Sequence, residues 1–337
     1  MTFSKSILTV GLVFYAAIAA LPFLTKNQFF LNSMIFVLVF ALFAASWDIG
    51  YGVAGVINLG PGVAFGIGSY VFVLLAVSHY SPFVALLVAS GTASLAGFIY
   101  WIPALRTSGT YLATVTLILL LLSGELALSL TGEDGFSAGI SYFSPSLIQS
   151  YYSTLAIALM GTLVLFFLSY SRFGLRLKAM RDDEVAAKSV GINVYFYKLV
   201  ALIISSFFLG LSGACSAYFI YHAHFDYTIF SITTNFLGIV IAIIGGPATI
   251  FGSVIGALIV ELPANYLTSY SIYAVIGYGV TMVLVVLFLR NGILNALTAL
   301  TTKLVSKREA RESLAAKELA ASAPGSGDTT LHETENG

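Results

Sequence analysis

Apolar stretches long enough to cross a bilayer recur along the chain, and they constrain its fold more than any other feature. A span needs about 20 predominantly apolar residues to cover roughly 30 Å of hydrocarbon. Candidate spans are 7–24, 29–50, 55–78, 83–102, 110–130, 151–170, 199–220, 232–247, 249–267 and 271–290. The predicted fold is therefore all-α: a polytopic integral membrane helical bundle of about ten spans. The segments 232–247 and 249–267 are short and share an abrupt Gly-Gly-Pro turn, so they read as broken or re-entrant pieces as readily as full spans.

Composition agrees. Only 9% of the 337 residues are charged, 58% are hydrophobic and mean hydropathy is +0.95, whereas a soluble domain carries about 25% charged residues. Net charge is zero, which gives nucleic acid no electrostatic footprint to bind. The one cysteine, Cys215, permits no internal disulfide. The aromatic share of 14% suits interfacial belts.

The few charges orient the spans. Arg172, Arg176, Lys178, Arg181, Lys188 and Lys198 form one basic cluster; Lys303, Lys307, Arg308, Arg311 and Lys317 form another. With Lys5 in the cytoplasm, ten spans bring Arg106, both clusters and Arg290 inside. The opposite loops hold Lys26, Glu133, Asp134 and Asp226. The positive-inside rule thus predicts N-in and C-in. Residues 1–20 also fit a signal peptide, with Lys5 before the apolar run and Ala17-Ile18-Ala19 as a cleavage site. A retained anchor is the expectation, since nine further spans follow. A transmembrane domain over 1–300 is expected, with a cytoplasmic tail over 301–337. In that tail 303–320 has a helix-forming polar composition and 321–337 has little to bury.

Two glycine-rich blocks share a pattern. Gly60-Pro61, three residues, then Phe65-Gly66 matches Gly246-Pro247, three residues, then Phe251-Gly252. Gly/Pro-interrupted segments at corresponding places in two halves point to a transporter's substrate path. Asn58, Gly60, Gly62, Gly66, Gly246 and Gly252 are the path candidates. Plain packing glycines are the competing reading. Glu125 joins the candidates because an ionisable group inside a span is a functional candidate by default. Its charge costs about 2.5–3.5 kcal/mol, which the nine leucines of 110–130 offset at roughly 0.3–0.6 each. Glu261 and Asp48 rank lower, near span ends or glycine turns. His222, His224 and Asp226 would share one face of an extended segment, but flanking Tyr221, Phe225 and Tyr227 read as an interfacial belt. No metal ligand set is assigned.

The stretch 171–193 is the one long charged segment between expected spans. Leu175, Leu177, Met180, Val185 and Ala186 alternate with charges, as in a short surface helix, and Gly191 suits a helix C-terminus. A docking element for a soluble partner and a solvated loop both fit.

Three blocks resemble the M-type permease of branched-chain (hydrophobic) amino-acid ABC importers: Gly60–Tyr70, Ser171–Ala214 and Gly245–Gly256. The resemblance covers about 30–290 and is most specific in the second block. It implies a bacterial inner-membrane subunit paired with a second related permease. Two cytoplasmic ATP-binding subunits would carry ATP-Mg, and a solute-binding protein would deliver a small-molecule substrate. It also implies an ATPase-coupling loop of Arg181, Asp182, Asp183, Glu184, Ala186, Ala187 and Gly191. Aligning Ala186, Ala187 and Gly191 with the importer motif Glu-Ala-Ala-x-x-x-Gly puts Val185 where the Glu belongs. The chain has no G-x-x-x-x-G-K-[ST] loop, so no cofactor is expected on it and ATP hydrolysis would fall to partners. Urea or short amides are an alternative cargo. An ATP-independent secondary transporter or channel is an alternative class, though few paired ionisable groups are present for ion coupling.

Overall fold

The computed structural model describes residues 2–107, 109–132, 136–137, 146–220, 224–225 and 227–268. The chain divides into two units, Met1–Asn295 and Ala296–Gly337. The second unit lies outside the described residues, as do the expected span 271–290, Arg290, Glu133, Asp134, His222 and Asp226.

The other nine expected spans each contain a helix. These are α1 (Thr2–Leu24), α2 (Gln28–Asp48), α3 (Gly62–Val77), α4 (Pro82–Ala104), α5 (Thr110–Thr131), α6 (Leu147–Tyr170), α9 (Val194–Cys215), α10 (Ile232–Gly245) and α11 (Gly252–Thr268). Two short helices, α7 (Arg172–Asp182) and α8 (Glu184–Ser189), occupy the charged stretch between α6 and α9. The helices α1, α2, α4, α5, α6 and α9 are long and apolar enough to cross a membrane, while α3 and α10 are shorter. The protein is a multi-pass, all-α membrane bundle. Its extended pairing among the described residues is a two-residue antiparallel contact, Phe136 opposite Phe225.

Local chemistry starts the helices where the sequence changes. The Asn27 side chain accepts from Phe29 N–H at 3.0 Å, Asn193 from Phe196 N–H at 3.1 Å, and Ser231 from Thr234 N–H at 3.2 Å. Each satisfies a donor that the first helical turn leaves open. Pro82 begins α4, where a missing N–H costs nothing.

A helix apolar on all sides belongs in the centre of a bundle, and α2 is that helix. It packs against α6, α9, α10 and α11. Of the Gln28–Val53 span 78% is buried, against 28% for α5. Without a hydrophobic force between helices in lipid, close backbone approach and interhelical hydrogen bonds hold them together. On α9, small residues supply both. A Cβ on Gly213 would lie 1.9 Å from Phe65 O, and one on Gly68 would lie 2.1 Å from Gly210 O. The Ser205 and Ser212 hydroxyls donate to Ser46 and Val39 carbonyls at 2.6 and 2.7 Å.

The third span departs from expectation. A helix from residue 55 is predicted, yet α3 begins at Gly62. The end of α2 widens into a π-turn over Ile49–Val53, where Ala54 N–H donates to Ile49 O at 3.1 Å. Gly55 then takes φ +72°, a left-handed conformation that glycine adopts without a Cβ penalty. Pro61 immediately precedes the new helix. Residues 54–61 therefore cross part of the bundle unwound.

Candidate functional site

Unwound backbone is tolerated at membrane depth only where protein or a water-filled cavity satisfies it. In the 54–61 segment the N–H groups of 54–56 bond back to the carbonyls of 49–51, and side chains meet the backbone of 58–60. Trp47 Nε1 donates to Asn58 O at 2.7 Å, and the Trp47 ring stacks on Tyr51 with centroids 4.5 Å apart. Asn58 Oδ1 accepts from Gly60 N–H at 2.8 Å. Leu59 N–H donates to Thr116 Oγ1 on α5 at 3.0 Å. On α10, Asn235 Nδ2 donates to Leu59 O and its Oδ1 accepts from Gly62 N–H, both at 2.8 Å. Asn58, Thr116 and Asn235 are all buried. Glycine is required for this approach: a Cβ on Gly60 would lie 2.1 Å from Thr116 O, and one on Gly62 would lie 3.0 Å from Asn235 Oδ1.

The beginnings of α3 and α10 thus meet at one polar node inside the bundle. Helix N-termini carry a partial positive charge, and broken helices whose N-termini point inward are one way transporters hold anionic substrate groups. Of the sequence-predicted path residues, Asn58, Gly60 and Gly62 are at this node. Gly66 lies one turn along α3, where a Cβ would meet the Phe230 ring at 2.2 Å.

Gly246 and Gly252 are elsewhere. Asn235 and Gly246 lie eleven residues apart along α10 and its cap, or about 16 Å at 1.5 Å per residue. The second Gly-Pro block is a tight turn between α10 and α11. A Cβ on Gly245 would lie 2.1 Å from Gly252 O, and one on Gly256 would lie 2.2 Å from Ile241 O. Gly246, Ala248 and Ile250 take φ of +111°, +65° and +54°. Asp48, fully enclosed at the end of α2, holds this turn: its carboxylate accepts from Ala248 N–H at 2.8 Å and Ile250 N–H at 3.2 Å.

Glu125 is on the exposed side of α5, away from both blocks. That face also presents Leu121, Leu122, Leu126 and Leu130.

The loop residues cluster at the end of the bundle that holds Asp48. Asp183 caps α8, its Oδ1 accepting from Val185 and Ala186 N–H at 2.9 Å each. Gly191, at φ +82°, closes α8 in a Schellman motif, with Ile192 N–H donating to Ala187 O and Gly191 N–H to Lys188 O. Glu184 bridges Lys198 at 2.6 Å and Lys188 at 3.0 Å. The hydrogen bond from Lys198, followed by that from Lys188, holds the Glu184 carboxyl below its ordinary pKa. The Lys178 ammonium sits 4.2 Å from the Tyr170 ring centroid, and burial, aided by nearby Arg181, lowers its pKa. Ala187 is buried, whereas Asp182, Asp183, Ala186 and Gly191 are exposed. Arg181 pairs with its neighbour Asp182 at 3.0 Å and reaches from α7 to donate to Gly52 O at 2.5 Å. A cavity of about 320 Å³ opens beside this cluster, between the 55–57 backbone and Leu105, Leu112, Glu184, Lys188 and Lys198.

Asn235 and Thr116 were not among the residues singled out from sequence. An amide alone in the apolar run Ile232–Gly245 is the signal that could have found Asn235.

Residues 29–289, about three quarters of the chain, match the family described as branched-chain amino acid transport system, permease component. The chain belongs to that family, and so to the permease subunits of ABC importers; it is a transport subunit. It is similar to the high-affinity branched-chain amino acid transport system permease protein LivM of Escherichia coli (strain K12), with 25% identity over 292 residues. That alignment covers 76% of this chain and 68% of the relative. The LivM protein of Salmonella typhimurium (strain LT2) is also 25% identical, with the same coverage. No solved structure matches.

Proposed function

We propose that this chain forms the membrane path of an ATP-driven importer of branched-chain and other hydrophobic amino acids, with solute passing the Asn58–Thr116–Asn235 node. The observation that carries this reading is the interrupted span at 54–61, where α3 and α10 both begin inside the bundle. Two helix starts and an unwound backbone hold N–H and C=O groups, paired here with Asn58, Thr116 and Asn235, that exchange partners with the carboxylate and ammonium of an amino acid. The working complex contains a second related permease, two cytoplasmic ATP-binding subunits with ATP-Mg, and a solute-binding protein at the outer face. The chain lies N-in and C-in in the bacterial inner membrane. Family membership and the relatives' names support the cargo and the ABC partners. Basic residues around α7 and α8 support the orientation.

Two exposed surfaces fit two partners. On α8 and its C-cap, Val185 and Val190 are 77% and 76% exposed; in this reading they and Arg181–Gly191 seat against an ATP-binding subunit, outside the lipid. On α5, Glu125 faces the second permease, because a carboxylate facing lipid costs about 2.5–3.5 kcal/mol or more.

Reconstitution tests the reading. Vesicles holding the permease pair, the ATP-binding subunits and the solute-binding protein should accumulate labelled leucine only with internal ATP. Uptake by this chain alone in ATP-free vesicles sinks the proposal and revives a secondary carrier or channel. ATP-dependent uptake of urea or acetamide, with none of leucine, keeps the ABC architecture and replaces the cargo.

A further inference from the structure

Asp48, Gly52 and Arg181 form a continuous chain of contacts that runs inward from the docking surface. At one end is α7, whose Arg181 guanidinium donates to Gly52 O at 2.5 Å. Gly52 lies in the π-turn that ends α2. Its α-carbon is pressed between two groups: a Cβ there would lie 2.0 Å from Asp48 Oδ1 and 2.3 Å from Ala248 N. Asp48 Oδ1 and Oδ2 then accept from Ala248 and Ile250 N–H. Arg181 is pinned from a second side as well: a Cβ on Gly55 would lie 2.7 Å from Arg181 Cγ. Displacing Arg181 therefore pulls or releases the π-turn carbonyl. The π-turn cannot shift without moving the carboxylate that holds the α10–α11 turn.

Packing alone does not require this arrangement. A buried carboxylate is costly unless several donors meet it, and Asp48 offsets that cost with the Ala248 and Ile250 N–H groups, which an apolar residue would leave without an acceptor. The turn it holds is unusual too. Ala248 and Ile250 adopt left-handed backbone, a conformation costing about 1–2 kcal/mol for a residue with a Cβ. Two such residues within three positions need an outside restraint, and the Asp48 carboxylate supplies it to both N–H groups. Remove the restraint and the turn has every reason to relax.

We propose that Asp48 is a positioning residue for coupled transport. Through Gly52 it transmits displacement of α7 to the Gly246–Phe251 turn, and so to α10, whose first turn carries Asn235 at the path. The relay rests on the permease reading above. It joins the energy-coupling end of the bundle to the path through packed groups with no gap, which is the physical form long-range coupling takes. Asp48 touches no substrate in this account. It fixes where α10 stands.

The test uses the complete complex in vesicles. In Asp48→Asn the amide oxygen still accepts one N–H, so the protein retains part of the restraint while losing the second acceptor and the charge. ATP hydrolysis by the D48N complex should stay near the wild-type rate, while leucine accumulated per ATP falls roughly ten-fold, within the range of a typical coupling energy. A merely structural role would lower both together. A second measurement does not depend on the folding of D48N. Ala248→Cys places a thiol on the turn, and native Cys215 is buried. Its maleimide labelling rate should change between nucleotide-free and vanadate-trapped complexes, and Arg181→Gln should abolish that change. Equal coupling in D48N, or a labelling rate indifferent to nucleotide in otherwise wild-type complex, overturns the relay. If wild-type vesicles show no ATP-dependent uptake, the permease reading fails and the relay falls with it. Normal wild-type uptake with unaltered D48N coupling removes the relay alone.

Discussion

The two Gly-Pro blocks look alike in sequence and differ in what their glycines do. At Gly60-Pro61 the chain comes out of an unwound stretch and enters a helix inside the bundle. Its polar groups are met by side chains of three other elements, Trp47, Thr116 and Asn235. At Gly246-Pro247 the chain reverses between two adjacent helices: Gly245 and Gly252 meet backbone to backbone, and one side chain, Asp48, holds the turn's N–H groups. One block opens a span and the other closes a hairpin. A shared Gly-Pro-x-x-x-Phe-Gly pattern thus reports that the backbone must bend and approach closely. It does not report whether the bend exposes polar groups to a path. The partners decide that, and they lie far away in the chain.

The strongest challenge to this contrast is at Asn235. Asn235→Ala leaves the buried Gly62 N–H and Leu59 C=O without their side-chain partner, at about 1–3 kcal/mol each. Thr249→Ala in the second block removes a single hydroxyl bond to Gly246 O and should cost about 1 kcal/mol. Thermal unfolding of the purified complex should therefore drop much further for N235A, and leucine uptake should vanish at temperatures where the complex remains assembled. Equal loss in both variants would erase the distinction. Next in size is Gly252→Ala. Its Cβ would lie 2.2 Å from Thr249 Oγ1 and 2.3 Å from Gly245 O. The second neighbour is backbone, so the helices must separate, at about 1–3 kcal/mol. Disulfide trapping between cysteines on α10 and α11 should slow as the pair spreads.

Much of this architecture is legible in the chain itself because lipid imposes one rule, that apolar runs of sufficient length become helices. Nine expected spans hold helices for that reason, and the Asp183 cap and Gly191 stop of α8 follow from local rules. The rule is blind inside a span. Residues 55–61 are apolar enough to pass as helix, and what unwinds them is the π-turn at Ile49–Val53, the left-handed Gly55 and the hydrogen-bond partners waiting on α5 and α10. Asp48 ranked low because it stands at a span end, where a carboxylate ordinarily reaches water. Only the fold brings the 246–251 turn over it, two hundred residues on. Glu125 shows the reverse: its place within an apolar span was readable, but which way it faces required the packing of α5.

Smaller effects sharpen a related contrast, between the buried blocks and the exposed loop. Gly191→Ala meets no atom within 4 Å, so its cost is conformational, about 1–2 kcal/mol for a Cβ at φ +82°. That cost should stay local. Amide exchange should accelerate over Glu184–Ile192 with the melting temperature of the bundle unchanged, and ATPase stimulation should weaken if α8 is the docking element. Smallest is the Glu184 ion-pair cluster. Lys198 and then Lys188 lower the Glu184 pKa in the folded protein, so the carboxylate contributes stability above its unfolded value near 4.5. That contribution is lost as pH falls below 4.5 through the lowered folded value. From neutral pH down to about 5 the attachment of α8 to α9 should be indifferent to acid. Glu184 is partly exposed and shares its charge with solvent, so Glu184→Gln should cost under about 1 kcal/mol. The difference should shrink further in high salt, whose screening reaches this surface and not the Asp48 turn. Amide exchange at α8 in low and high salt is the measurement. A salt-independent loss above 2 kcal/mol would mean that this cluster is buried by a partner and belongs with the enclosed blocks.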